Sequence, residues 1–205
     1  MFIGKYNGSV ILTYVGVALA IVGMWFALEG SSYHAMISLV LAGVCDLFDG
    51  TAARLFKRDE KELAFGREID SLADMVSFIA LPAVFAMMLP GRAWLTVPAM
   101  ILYALAGIIR LAWFNIAGTG ESDGERFYHG LPVTYAALIF PILYIPLSFL
   151  PGGVTGVLWP LLYLITAAAF ILDIRIRKPD RKQSLMLALL AAIVIIIYLL
   201  LGVFS

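Results

Sequence analysis

Apolar residues run along this chain in long blocks, with no short-period alternation. Seven stretches, residues 9–28, 33–54, 67–89, 92–115, 131–150, 154–173 and 184–203, are each mostly apolar over about twenty positions, the length a helix needs to cross the hydrocarbon of a bilayer. Backbone N–H and C=O groups find no water there, so each stretch is predicted to form a helix that satisfies them internally. Pro90-Gly91 and Pro151-Gly152-Gly153 interrupt the blocks and mark tight turns. No polar segment is long enough for a soluble domain, and no repeat or low-complexity tract is present. The expectation is one all-α domain over residues 1–205, a polytopic transmembrane bundle of six to eight spans with seven counted. No small-residue cleavage pattern follows the first stretch before the second begins, so it is expected to be a retained helix and not a secretory signal.

Composition agrees. Hydrophobic residues make up 62% and charged residues 14% of the 205, against about 25% charged in soluble domains, and the mean hydropathy is +0.98. The 14 basic residues equal the 14 acidic ones, so there is no overall basic field and no nucleic-acid partner is expected. The single cysteine, Cys45, cannot close an internal disulfide and reads as a packing residue. Basic residues are placed unevenly. Lys57, Arg58, Lys61 and Arg67 fall between the second and third stretches, and Arg175, Arg177, Lys178, Arg181 and Lys182 between the sixth and seventh. With Lys5, Arg54, Arg110 and Arg126 they share one side if the spans alternate, leaving Arg92 alone on the other, so this side is expected to be cytoplasmic. Seven alternating spans would put Ser205 outside. Asn7-Gly8-Ser9 has the form of a glycosylation sequon, but it precedes the first span on the inner side and reads as coincidence.

Against this apolar background stand Asp46, Asp49, Asp70 and Asp74. An ionised side chain at the centre of a spanning helix costs roughly 2.5–3.5 kcal/mol on insertion scales, so four of them call for a compensating cation. At about 100° per residue, Asp46, Asp49, Gly50, Ala53 and Arg54 fall within a stripe about 140° wide. Gly66, Asp70 and Asp74 recur every fourth residue and also share a face. The intervening loop, residues 55–65, is short enough to bring the stripes together near one interface. Converging carboxylates repel unless cations intervene, and an oxygen-only donor set with no His or Cys suits Mg2+ or Mn2+ better than zinc. Gly50 and Ala53 leave a cleft for a phosphorylated group, and Arg54 can meet phosphate. Taken singly, Gly50 or Ala53 is better read as a helix-packing residue.

Asp46-Leu47-Phe48-Asp49-Gly50-Thr51-Ala52-Ala53-Arg54, followed by Gly66-Arg67-Glu68-Ile69-Asp70-Ser71-Leu72-Ala73-Asp74, resembles the signature of the CDP-alcohol phosphatidyltransferases, Asp-x2-Asp-Gly-x2-Ala-Arg, a spacer, then Gly-x3-Asp-x3-Asp. All eight signature positions are filled. The spacer is longer than the family's usual one, with eleven residues between Arg54 and Gly66. The resemblance implies that Asp46, Asp49 and Asp70 ligate divalent ions and that Asp74 is the general base, touching a second ion. It implies that Asp46, Gly50, Ala53, Arg54, Gly66 and Asp70 hold the cytidine nucleotide, and that the enzyme is a homodimer.

Three further segments, Asp70 to Phe78, Arg110-Leu111-Ala112-Trp113-Phe114-Asn115 and Phe127-Tyr128-His129-Gly130-Leu131-Pro132, are similar to the phosphatidylserine synthase branch. The implied reaction is transfer of the phosphatidyl group of CDP-diacylglycerol to the hydroxyl of L-serine, giving phosphatidylserine and CMP. The expected setting is a prokaryotic cell membrane, with the site facing the cytoplasm. Arg110, Asn115 and Arg126 are candidates for holding serine, because an amino-acid acceptor carries a carboxylate; Arg110 could equally pair with lipid phosphate. His129 reads as a loop hydrogen-bonder. Glycerol phosphate, inositol phosphate or choline are the alternative acceptors, Trp113 and Tyr128 being candidate cage walls for choline. A cation transporter would also carry intramembrane carboxylates, but nearer midplane in broken helices.

Overall fold

A computed structural model describes Gly4 and residues 8–53, 55–89, 91–118, 120–122 and 125–203. Its helices are α1 (Ile11–Leu28), α2 (Ser32–Ala53), α3 (Glu60–Asp74), α4 (Leu81–Met88), α5 (Ala93–Ala117), α6 (Ala136–Leu147), α7 (Gly152–Ile171) and α8 (Arg181–Val203). Six continuous helical stretches are long and apolar enough to cross a bilayer: Ile11–Leu28, Ser32–Ala53, Glu60–Met88, Ala93–Ala117, Gly152–Ile171 and Arg181–Gly202. They fit an integral, multi-pass membrane protein.

The fifth stretch of the sequence differs from its expected extent. It is helical only over Val133–Leu147, about 23 Å at helical rise. Pro132 stands just before it and Pro151 caps the next helix, while Pro141 and Pro146 within it each remove a backbone donor. The third stretch begins earlier than expected. Asp59 and Glu62 form a reciprocal capping box, Glu62 N–H donating to Asp59 Oδ1 at 2.6 Å and Asp59 N–H to Glu62 Oε2 at 3.0 Å, so residues expected to be loop are helical from Glu60.

A small antiparallel sheet joins the helices, in the order β1 (Gly120–Ser122), β2 (Glu125–His129), β3 (Arg175–Arg177). Phe127 pairs with Arg177 and His129 with Arg175, so the α5–α6 and α7–α8 connections lie on one face of the bundle. Gly130 N–H donates to the Ile174 carbonyl and Leu131 N–H to that of Ala169, both at 2.9 Å. Gly130 has φ +77, and a Cβ there would meet the Phe170 carbonyl oxygen at 2.5 Å, so only glycine fits. On the opposite face, Gly91 lies against Gly156, and the ring of Tyr198, near the end of α8, packs at a tilt 5.8 Å from that of Tyr33, at the start of α2. The short α6 therefore crosses with α7 as an out-and-back pair, and α8 ends on the face opposite the sheet.

Between α3 and α4 the helix widens into a π segment, Met75–Ala80. It precedes Pro82, which has no N–H and crowds the Phe78 carbonyl four residues back. The buried Tyr103 hydroxyl donates to that carbonyl, Tyr163 donates to Pro82 O at 2.6 Å, and Tyr198 to Pro141 O at 2.6 Å. Proline-disturbed backbone is thus served by phenols from neighbouring helices, which hydrocarbon makes necessary. Tyr103→Phe should lower stability by about 1–2 kcal/mol, measured by unfolding of purified protein in mixed micelles; an unchanged midpoint would mean that the Phe78 carbonyl has another donor.

Candidate functional site

The last turns of α2 and the last turns of α3 bring their acids together. Asp46, Asp49 and Asp70 each offer a carboxylate oxygen, and these lie within 4.8 Å of one another. Asp74 interacts with Asp46, and Asp49 with Asp70. Carboxylates gathered in this way repel one another unless a cation or proton intervenes. The donor set is oxygen alone, partly buried, and of the size a divalent ion accepts, so the residues fit a Mg2+ or Mn2+ centre. Bound there, such an ion would be held by Asp46, Asp49 and Asp70, with Asp74 beside them.

The acids form one wall of a cavity of about 470 Å³. Gly50 and Thr51 continue that wall, and a Cβ on Gly50 would meet nothing within 4 Å among the described residues. Ala53, 7% exposed, and Gly66, whose nearest neighbour would be Arg58 Nη1 at 3.9 Å, do not line the cavity. Arg54 lies outside the described residues.

Arg110, Phe114, Tyr128 and Lys178 line the same cavity. Arg110 is 5% exposed, and its Nε has no hydrogen-bond partner among the described residues. It interacts electrostatically with Tyr128 and Asp74, and its guanidinium carbon lies 5.4 Å from the Phe114 ring centre. Phe114 and Tyr128 pack at 5.8 Å, and Lys178 Nζ sits 5.7 Å from the Tyr128 ring. Burial, and then the Asp46 carboxylate, push the Tyr128 phenol up to about 12, so it stays a proton donor near neutrality.

The other predicted serine-holding residues are placed differently. Asn115 does not line the cavity; its Oδ1 accepts from Ser71 Oγ at 3.0 Å, bracing the end of α5 against α3. Arg126 belongs to β2, opposite Glu121, and its side chain lies outside the described residues. His129, expected in a loop, is the last residue of β2 and pairs with Asp173 at 2.6 Å. Trp113 is exposed on the bundle surface and Tyr128 lines the cavity, so the two do not form a cage. Three participants were missed in the sequence: Lys178, counted only as an orientation charge, Phe114, and Thr13, whose hydroxyl donates to Asp49 Oδ2 at 3.3 Å. Nothing local marks Thr13, since its partner lies 36 residues away.

Comparison with known proteins adds an independent line. The CDP-alcohol phosphatidyltransferase family pattern matches residues 7–174. A Mycobacterium leprae protein named CDP-diacylglycerol–serine O-phosphatidyltransferase is 31% identical over 180 residues, covering 84% of this chain and 57% of that protein. One of the same name from Saccharomyces cerevisiae is 34% identical over 131 residues, covering 58% of this chain and 45% of the relative. The archaetidylserine synthase of Methanothermobacter thermautotrophicus is 30% identical over 137 residues, 66% of this chain and 56% of its own length. The chain thus spans about half the length of the curated relatives it matches. With the family pattern running from residue 7 to residue 174 and its paired acids gathered against one cavity, the chain belongs to the CDP-alcohol phosphatidyltransferase family.

Proposed function

We propose that this protein transfers the phosphatidyl group of CDP-diacylglycerol to the hydroxyl of L-serine, releasing CMP, with Mg2+ or Mn2+ as cofactor. The observation that carries the reading is the cavity itself, lined by four carboxylates and by a buried arginine whose Nε finds no partner among the described residues. The serine carboxylate is the natural partner of Arg110. Its hydroxyl then faces Asp74, which takes the proton as the oxygen bonds to the lipid-bearing phosphorus and the phosphoanhydride bond to CMP breaks. Divalent ions, when bound, neutralise the diphosphate and stabilise the departing CMP. Gly50 leaves the nucleotide room, and Arg54 meets its phosphates. Residues 1–205 act as one catalytic domain, in a homodimer, with the site at the cytoplasmic face, where nucleotide and serine arrive. The serine-specific names of the relatives support the same acceptor.

Choline fits less well, because the faces of Phe114 and Tyr128 already carry Arg110 and Lys178. Lys178 on the cavity wall favours glycerol phosphate as the second reading. Purified protein in vesicles containing CDP-diacylglycerol should release CMP with serine but not with glycerol phosphate, inositol phosphate or choline. Chelator should stop the reaction and Mg2+ or Mn2+ restore it. Release with glycerol phosphate alone would overturn serine while keeping the family. Arg110→Lys, which loses the planar fork, should raise the KM for serine about tenfold or more, since a charged hydrogen bond is worth about 1.5–3 kcal/mol. The KM for the lipid should barely change, and an unchanged serine KM would remove Arg110 from the acceptor site.

A further inference from the structure

The buried stripe of α1 is Thr13, Gly16, Ala20, Gly23 and Ala27, at the alternating three- and four-residue spacing that keeps to one helical face. Four of its members carry at most a methyl group, which lets α1 lie close against its neighbours. A Cβ on Gly23 would come within 2.9 Å of the Ser38 Cβ, and one on Gly16 within 3.5 Å of the Cys45 Cβ. Thr13 is the exception. It is 8% exposed and stands where the stripe reaches the level of the acids, with its hydroxyl 3.3 Å from Asp49 Oδ2. A narrow recess is lined by Thr13, Cys45, Ala73 and Ser77 together with all four acids. Thr13 therefore meets Asp49 in this second recess and does not line the large cavity.

We propose that Thr13 is a positioning residue for the metal centre. Its hydroxyl donates to Oδ2 of Asp49 and restrains the rotation of the carboxylate that Asp49 offers beside those of Asp46 and Asp70. A helix that carries none of the signature acids thereby sets the geometry of one of them. Partners that orient a ligand in this way typically govern metal affinity by about 10–100-fold. The inference rests on the metal reading given under Proposed function, and its test separates the two.

Purified protein without substrate is titrated with Mn2+, following free ion by electron paramagnetic resonance. Thr13→Val keeps the shape and removes the donor; Thr13→Ser keeps the donor and removes a methyl. Mn2+ affinity should fall about 10–100-fold in Thr13→Val and stay within about threefold in Thr13→Ser, and the Mg2+ concentration needed for half-maximal CMP release should move in parallel. Thr13→Ala gives the same comparison if the valine variant does not fold. Equal affinity in all folded variants would overturn the proposal, and so would equal losses in Thr13→Ser and Thr13→Val, which would make Thr13 a packing residue. Failure of the unsubstituted protein to bind Mn2+ would remove the metal reading and this inference together.

Discussion

Asp74→Asn should abolish phosphatidyl transfer while leaving CDP-diacylglycerol bound within a few-fold of normal affinity. Asparagine keeps the size and one oxygen of the carboxyl but cannot take up the proton of an attacking hydroxyl. Loss of a general base costs about 10²–10⁴-fold in rate. The geometry favours Asp74 for the role because it lines the cavity beside the cluster of Asp46, Asp49 and Asp70 and interacts with Arg110, which lines the same cavity. Acceptor carboxylate and acceptor hydroxyl would thus be addressed by Arg110 and Asp74 together. Serine-dependent CMP release and equilibrium binding of the donor, both on detergent-purified variant, check the two halves of the prediction. Full turnover would remove the base assignment.

Asp46→Asn and Asp49→Asn should fail differently, losing metal and nucleotide together. Each removes one negative charge from a set whose attraction for a divalent ion depends on that charge, and the diphosphate of the donor binds through the ion. We expect Mn2+ affinity to fall on the order of 100-fold, at least the loss typical of a supporting residue, with donor affinity falling alongside and only partial recovery at high metal. Titrating each variant first with Mn2+ and then with CDP-diacylglycerol distinguishes this from a local folding defect. If donor binding survived while Mn2+ binding vanished, the acids would not be bridging protein to diphosphate.

The acids were legible because helical periodicity alone stacks residues spaced by three and four, and because the helices carrying them are consecutive. Whatever the connection between α2 and α3 does, the pairs must return to one height. The beginning of α3 was also written locally, in Asp59 and Glu62, but the run of charges there reads as solvated loop until the capping box is noticed. Other features depend on partners remote in sequence. The strands are short, and β2 pairs with β3 across the whole α6–α7 excursion, so no alternation within either segment announces a sheet. The π segment sits inside an unbroken apolar run, where one widened turn leaves the hydropathy unchanged. Thr13 hides in a stripe that looks like ordinary small-residue packing. Asn115 carried a plausible side chain at a plausible height, yet its amide oxygen is turned to Ser71, a direction that no one-dimensional pattern encodes.

The α6–α7 pair leaves the sheet at Gly130 and rejoins it at Ile174, where the two strands of chain are hydrogen-bonded to each other. Mechanically this is a closed loop of helix pinned at the sheet and clamped along its length, α7 packing on α5 with Tyr163 tied to the Pro82 carbonyl, and α6 packing on α2 with Tyr198 tied to Pro141. Pro132, Val133, Thr134 and Tyr135, which help wall the cavity, stand beside the pinned end. That part of the reaction chamber is thereby braced from the sheet and from the bundle at once.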